Sequence, residues 1–445
     1  MSHKYYIQQL LAHAGLGFAV FLAKPLSKVY FVGIFVYFLW RLIQSKPSQK
    51  AYWVIGACIY IVTSEVFLRM TGGNFLYEAS KYMVIFFLIF GMLFDGIHKK
   101  AWPYFLYLIA LLPGIVVAAN NLSFMANIRK AIAFNLSGPV CLGIAALYCY
   151  NRFVTFEQQK KLLQLAVLPI VAMTIFLFFY TPDIRDVLTG TQSNFAASGG
   201  FGPNQVATIL GLGMFIVAVN FVINSPTQLL KILHLVLLAL MSYRAFVTFS
   251  RGGVIVAAVM IIAFLYLYLQ YAKPVLKARL MSSLVLVFVV AGFTYATTAV
   301  LTDGLIVNRY TNKDARGRVK EDVSTGRGNL ISYEIDEFIK NPFLGIGVGR
   351  SKDLRMEREG VVAASHNEMS RILAEHGILG IIGLLILLGY PIVFRLSNNK
   401  NLLFYSMYFF WFLTINHSSM RIAAPAFIYG LCLLNISYDE ESFIE

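Results

Sequence analysis

The sequence predicts an all-α polytopic membrane protein of about 12–14 transmembrane helices, with one long loop late in the chain. Three observations carry that prediction. Of 445 residues, 58% are apolar or aromatic and only 13% are charged, against roughly 45–50% and about 25% in a soluble domain. Mean hydropathy is +0.68. The apolar residues also gather into runs of spanning length separated by short polar turns. A soluble enzyme, a secreted disulfide module and a disordered chain are all excluded. Cys58, Cys141, Cys149 and Cys432 each lie inside an apolar run, where a thiol behaves as a small hydrophobe. They offer neither a disulfide framework nor a CxxC pair.

Taken in order, the runs place spans at 7–23, 26–43, 51–68, 82–97, 102–119, 131–150, 162–180, 203–223, 229–249, 252–271, 280–301, 378–395, 401–416 and 419–437. Ala12-His13-Ala14 mimics a signal-peptidase site, but only a short stretch containing Gln8 and Gln9 precedes it. Cleavage is therefore not expected. Residues 1–301 carry spans with short loops, 302–377 form the long loop, and 378–445 hold the last spans and a short acidic tail. The long loop contains 12 basic and 12 acidic residues.

Orientation follows from the basic residues in the short connections. Lys4, Arg41, Lys46, Lys50, Lys99, Lys100, Arg152, Lys160, Lys161, Lys231, Lys273, Lys277, Arg279, Arg395 and Lys400 fall on one side, fifteen cations with few acids among them. The other side holds ten, several beside carboxylates. The first set is expected to be cytoplasmic, with both termini. The 181–202 loop, the 244–252 turn, the 302–377 loop and the 417–421 turn are then extracytoplasmic. The formal charge of +15 reads as topology signal and anion sites rather than nucleic-acid binding.

Within the long loop, Ile331, Ile335, Phe338 and Ile339 recur at helical spacing over 329–340, with Glu334 and Glu337 elsewhere on the wheel. Asn341-Pro342 stops that helix. Thr325-Gly326-Arg327-Gly328 sets an arginine between glycines that let backbone approach a ligand. Gly345-Ile346-Gly347-Val348-Gly349 has GxGxG spacing, not that of a dinucleotide fingerprint, and predicts a glycine-rich bend at the membrane surface.

Ser365-His366-Asn367-Glu368 matches a capping box. It predicts a helix starting at Ser365, with His366 at its first position. There the helix dipole disfavours imidazolium, leaving a neutral base, and free N–H groups favour an anion. His366, Glu368, Glu375 and His376 fit no standard metal-ligand spacing, so neither metal nor cofactor is expected.

Charges in or at the ends of spans are costly and point to function. Arg244 and Arg251 lie seven residues apart, two helical turns or about 10 Å on one face. Gly252-Gly253 beside Arg251 permits close packing. Arg421 and His417 sit at the last outer turn. Glu65 with Arg69, and Glu78 with Lys81, read as structural ion pairs at i,i+4 and i,i+3. Guanidiniums gathered at one membrane face suit phosphate oxygens. No P-loop, HExxH, nucleophile elbow or Asp-x-Asp is present. The first outer loop, around 24–28, has lysines but no carboxylate.

The chain resembles the O-antigen ligase and polymerase superfamily of bacterial inner-membrane glycan transferases. The layout resembles it throughout. The most specific stretches are Ser250–Gly253, Gly199-Gly200-Phe201-Gly202-Pro203-Asn204-Gln205, and the run from Thr325 through Asn341-Pro342-Phe343-Leu344-Gly345-Ile346-Gly347 and His366-Asn367-Glu368 to Glu375-His376-Gly377-Ile378-Leu379-Gly380. The resemblance implies a fold like the C-type glycosyltransferase class and metal-independent, inverting transfer. It also implies an undecaprenyl-pyrophosphate-linked glycan as donor, held by arginines, with a loop histidine activating the acceptor. Those roles fall on Arg251, Arg327 and His366, with Arg244 and Arg421 as further donor contacts by charge and side. Asn367, Glu368 and Glu375 support them.

The expected activity is transfer to an acceptor hydroxyl at the periplasmic face, as an O-antigen ligase acting on lipid A–core. A repeat-unit polymerase, whose acceptor is a second lipid-linked glycan, shares this chemistry, as does a protein O-glycosylating relative. A transporter of lipid-linked glycan or solute is the alternative of a different class. Its usual internal repeats are not seen in the sequence. Membrane lipids are expected partners and nucleic acid is not.

Overall fold

The structure is a computed structural model that describes residues 2–122, 127–188, 190–271, 274–320, 326–360 and 365–438. Thr325, Lys273 and the acidic tail from 439 lie outside the described residues. The helices in order are α1 (His3–Leu22), α2 (Leu26–Gln44), α3 (Lys50–Thr71), α4 (Ala79–Asp95), α5 (Trp102–Ala110), α6 (Leu112–Asn121), α7 (Ile128–Cys149), α8 (Phe156–Tyr180), α9 (Pro203–Ile223), α10 (Gln228–Val247), α11 (Arg251–Tyr271) and α12 (Pro274–Leu301). The long loop carries α13 (Leu305–Tyr310), α14 (Arg327–Lys340), α15 (Arg350–Glu359) and α16 (Glu368–His376). The chain ends in α17 (Ile378–Ser397), α18 (Phe404–His417) and α19 (Ala423–Cys432). Short parallel strands β1 (Phe153–Thr155) and β2 (Asn435–Ser437) pair Val154 with Ile436 and tie the start of α8 to the end of α19.

The all-α polytopic architecture is as the apolar runs predict. Among the described residues, ten helices or helix pairs are long and apolar enough to cross a membrane. The remaining predicted spans, 7–23, 82–97, 401–416 and 419–437, are α1, α4, α18 and α19. These four are helical, but fall short in length or hydropathy; α18 has 14 residues and α19 has 10. The 419–437 run is cut because Ser419 takes a left-handed φ of 54° and the helix begins only at Ala423.

The core lies where α3, α8, α9 and α19 are sheathed by other helices. In α9 all but a few residues are buried, so its apolar run shows no polar face, as expected of a helix surrounded by protein. The predicted close approach at Gly252-Gly253 is present. A Cβ on Gly253 would stand 2.1 Å from the Ala207 carbonyl of α9, and one on Gly252 would stand 2.4 Å from the His417 ring. Only glycine permits that approach. It sets the start of α11, and with it Arg251, against α9 and the end of α18.

Candidate functional site

Four segments converge at this end of the bundle: the α10–α11 turn, the short α13, the start of α14, and the segment 365–376 facing the α18–α19 turn. Arg251 is the first residue of α11 and donates from Nη1 to the Arg309 carbonyl at 3.4 Å. Arg309 in turn donates from Nε to the Phe249 carbonyl at 2.9 Å. Phe249 is in the left-handed region, with φ 57°, which turns its carbonyl toward that guanidinium. Burial and the charges of Arg251 and Arg327 bring Arg309 down to about 10. Burial and Arg251 likewise lower Arg327. Three guanidiniums thus share one neighbourhood, where each disfavours the charge of the others. Arg309 was not singled out from sequence, since no motif flanks it.

His366 meets this cluster through Arg327, with which it lines one cleft. Burial first, then Arg421, Arg327, Arg355 and His417, bring its imidazole down to about 4. Its Nδ1 is buried and has no partner among the described residues, whereas Nε2 is not among the buried unpaired atoms. Nε2 is therefore the ring nitrogen open to a small cleft lined by Arg327, Leu330, Ile331, Ser365, His366, Asn367 and Asn416.

The expected capping box does not form. The N-cap is Asn367, whose side chain accepts from the Ser370 N–H at 3.1 Å, and α16 begins at Glu368. Ser365 instead donates from Oγ to Glu334 at 3.1 Å and to the Asn367 carbonyl at 2.8 Å. His366 precedes the helix rather than opening it. Its neutrality comes from burial among cations, not from a position inside the first turn. Gly377 (φ 60°) then separates α16 from α17.

The segment around His366 is braced from three directions. Arg421 donates from Nη2 to the Ser365 carbonyl at 2.9 Å, and Ser419 Oγ donates to the same oxygen at 3.2 Å. Asn367 Nδ2 donates to Asn416 Oδ1 at 3.0 Å. Glu334 accepts from Ser365 Oγ and from Ser370 Oγ, the latter at 2.6 Å, and pairs with Arg355 at 3.4 Å. Glu334 and Glu337 are buried while Ile339 is 67% exposed, so α14 turns its acids inward, opposite to what an apolar face would suggest. Glu334 is matched by hydroxyls and by Arg355, and Glu337 by Lys340 at 3.1 Å, which a wheel diagram cannot show.

Arg371 joins the supporting carboxylates. It pairs with Glu368, and with Glu375 at 2.6 Å. Glu375 also accepts from the Gly349 N–H at 2.8 Å, which ties the glycine-rich bend to α16. Gly345, Gly347 and Gly349 all take positive φ there. Burial opposes the Arg371 charge, but Glu368 and Glu375 more than offset that and raise its pKa. Its i+3 and i−4 spacing to the two acids was a legible signal. His376 points elsewhere, its ring against Gly114 of α6, so His366, Glu368, Glu375 and His376 do not converge.

Glu65–Arg69 at 2.6 Å and Glu78–Lys81 at 2.7 Å form the expected ion pairs. They reach the site as well. Glu65 accepts from the Ala423 N–H at 2.6 Å, and Arg69 donates to the Arg421 carbonyl at 3.0 Å. Arg244 is fully buried and donates to the Thr181 and Ala197 carbonyls at 3.3 and 2.8 Å. It clamps the 181–198 loop, and the structure does not bring it to the Arg251, Arg309 and Arg327 group.

A comparison with curated proteins finds no match. A comparison with protein families finds one within the second half of the chain, from within α10 into α17, and this stretch contains Arg251, Arg309, Arg327 and His366 but not Arg421. Residues 236–385 match the family model for O-antigen ligase, which supports membership of the O-antigen ligase and polymerase superfamily.

Proposed function

We propose that this protein transfers a glycan from an undecaprenyl-pyrophosphate donor to an acceptor hydroxyl at the periplasmic face of the bacterial inner membrane, as an O-antigen ligase with lipid A–core as acceptor. The family match supports a membrane glycosyltransferase of ligase or polymerase type. One observation carries the chemistry: His366, brought down to about 4, shares a cleft with Arg327, and Arg327 neighbours Arg251 and Arg309.

In this reading His366 Nε2 takes the proton of the acceptor hydroxyl as its oxygen attacks the anomeric carbon. The bond from that carbon to the pyrophosphate oxygen breaks on the opposite side, and the leaving group keeps the electron pair. Arg251, Arg309 and Arg327 meet the charge that develops on it. The anomeric centre inverts. No metal is assigned a role, because Glu368 and Glu375 are held by Arg371. Residues 302–377 lie on the periplasmic side, where the donor arrives already activated.

Deletion in the source organism, with lipopolysaccharide resolved on a gel, tests this. Loss of all O-chains with lipid-linked polymer accumulating is the ligase outcome. A single repeat on the core would indicate the polymerase instead. Unchanged lipopolysaccharide would overturn both.

A further inference from the structure

At the end of the bundle opposite the arginine group lies a cavity of about 590 Å³, lined by residues of α1, α2, α3 and α8. That volume is in the range of about 300–1,000 Å³ usual for small-molecule sites. Its position follows from α8. Lys161, Leu165 and Leu168 line the cavity, whereas the far end of α8 meets Arg244 through the Thr181 carbonyl. From Lys161 to Tyr180 the helix climbs about 28 Å, close to the hydrocarbon thickness of a bilayer. The cavity and the proposed transfer site therefore open at opposite faces of the membrane.

The cavity is layered. At its mouth stand Arg41 and Lys161 with Tyr5 and Tyr52. Arg41 lies 4.1 Å from the Trp53 ring centroid, and its Nε is buried with no partner among the described residues. A guanidinium remains charged, so with Lys161 this end of the cavity is positive. Eight residues further along α1 and α3, about 12 Å deeper, His13 and Tyr60 form the floor with Tyr30. There Tyr30 donates to Tyr60 Oη at 3.0 Å, Tyr60 bonds His13 Nε2 at 2.6 Å, and His13 Nδ1 bonds the Gln9 carbonyl at 2.8 Å. Every proton of that chain is used, so the floor asks nothing of an occupant. Ile34, Phe38, Leu165 and Leu168 line the wall between. Basic mouth, apolar shaft and satisfied floor are the complement of one kind of molecule.

We propose that this cavity binds an anionic phospholipid of the leaflet opposite the transfer site, its phosphate on Arg41 and Lys161 and one acyl chain along Ile34, Phe38, Leu165 and Leu168. α1 packs along α8 and α2 along α3, while α1 and α2 hardly touch each other, so the chain enters between α1 and α2. Gly33 of α2 is exposed in the cleft wall, and a Cβ built on it meets nothing within 4 Å. A larger side chain there fills the cleft without disturbing the fold.

The test is native mass spectrometry of the full-length protein in detergent, titrated with phosphatidylglycerol or with phosphatidylcholine of the same chains. Wild type is expected to retain one phosphatidylglycerol, roughly tenfold or more in preference to phosphatidylcholine, the scale of two basic residues acting on an anionic lipid. Gly33→Leu should lose that lipid. Arg41→Gln with Lys161→Gln should erase the preference. Equal binding of the two lipids by wild type, or unchanged retention by Gly33→Leu, overturns the proposal. So does displacement of the bound lipid by millimolar inorganic phosphate, which would make this a site for a free anion.

Discussion

Arg421 donates from Nη2 to the carbonyl of Ser365 at 2.9 Å, holding the residue immediately before His366. After burial, the same guanidinium is the charge that most disfavours the His366 imidazolium. One side chain thus both orients the histidine and keeps it neutral. Arg421→Gln should therefore do two separable things. Loss of a charge-assisted bond costs about 1.5–3 kcal/mol, seen as a lower melting temperature. Loss of a positive neighbour raises the imidazole pKa, so the acidic limb of the pH–rate profile should move upward from its wild-type position. A limb that stays put while stability falls would leave Arg421 a purely structural clamp.

Arg244 invites the opposite expectation. Its Nη1 and Nη2 already donate to the Thr181 and Ala197 carbonyls in a fully buried setting. Arg244→Met leaves both oxygens without their donor, at about 1–3 kcal/mol each. We expect a marked fall in melting temperature and no change in donor affinity measured at a temperature where the variant is folded. Weaker donor binding at unchanged stability would restore Arg244 to the pyrophosphate site that its charge and side suggested.

For Arg251, Arg309 and Arg327 the fork matters as well as the charge. Lysine keeps the positive charge but loses the planar pair of donors that matches phosphate oxygens. Arg251→Lys and Arg327→Lys should each be severely impaired in transfer while inserting at normal levels. Arg309→Lys should be impaired too, since Arg309 Nε also anchors the Phe249 carbonyl at 2.9 Å. Wild-type rates in any of the three would remove that residue from the donor site.

Much of this arrangement was legible in the chain. The apolar runs located every helix of spanning length, because burial in lipid or protein demands long stretches without charge. The Glu65–Arg69 and Glu78–Lys81 pairs followed from helical spacing alone. What was not legible depended on contacts between distant segments. Ser365 and Glu368 had the right spacing for a capping box, but Glu334, more than thirty residues upstream, takes the Ser365 hydroxyl. Asn367 then becomes the cap. Glu334, off the apolar positions of the wheel, is surrounded by Ser365, Ser370 and Arg355, which spacing alone does not reveal. Arg309 carries no local pattern, and only the fold of α13 against Phe249 brings it to Arg251.

The orientation has a direct check. Cys58, Cys141, Cys149 and Cys432 are all buried, so the unmodified protein should give little background with thiol reagents. Lys313→Cys or Asp353→Cys should then react with a membrane-impermeant maleimide added from outside the inner membrane. Both positions belong to the segment that carries Arg327 and His366. Labelling only from the cytoplasmic side would invert the topology and place the transfer site where lipid-linked polymer is not presented.

The last expectation separates a base from a ligand contact. His366 is brought down to about 4 by burial and by Arg421, Arg327, Arg355 and His417. A group whose pKa is depressed stays in its neutral form above that value, so at neutral pH nearly every molecule carries a competent base. As pH falls, imidazolium accumulates and proton acceptance is lost. The acidic limb of transfer measured with donor limiting, which reports the free enzyme, should therefore lie near pH 4, well below the ordinary histidine value of about 6.5. A bound pyrophosphate adds negative charge beside the ring and favours imidazolium. The limb measured with donor saturating should accordingly sit higher than the limb measured with donor limiting. His366→Ala should lose roughly 10²–10⁴-fold in rate, the usual contribution of a general base, with donor affinity largely retained. Loss of one neutral hydrogen bond would cost only about 0.5–1.5 kcal/mol, roughly tenfold or less. Purified enzyme in nanodiscs with a lipid-linked donor gives both numbers, rate against pH and affinity separately. A His366→Ala enzyme within about tenfold of wild type would move the proton to another acceptor. Glu375 is a poor one while it holds Arg371 and the Gly349 N–H, and His376 faces Gly114 instead of the cleft. The base would then have to come from the substrates.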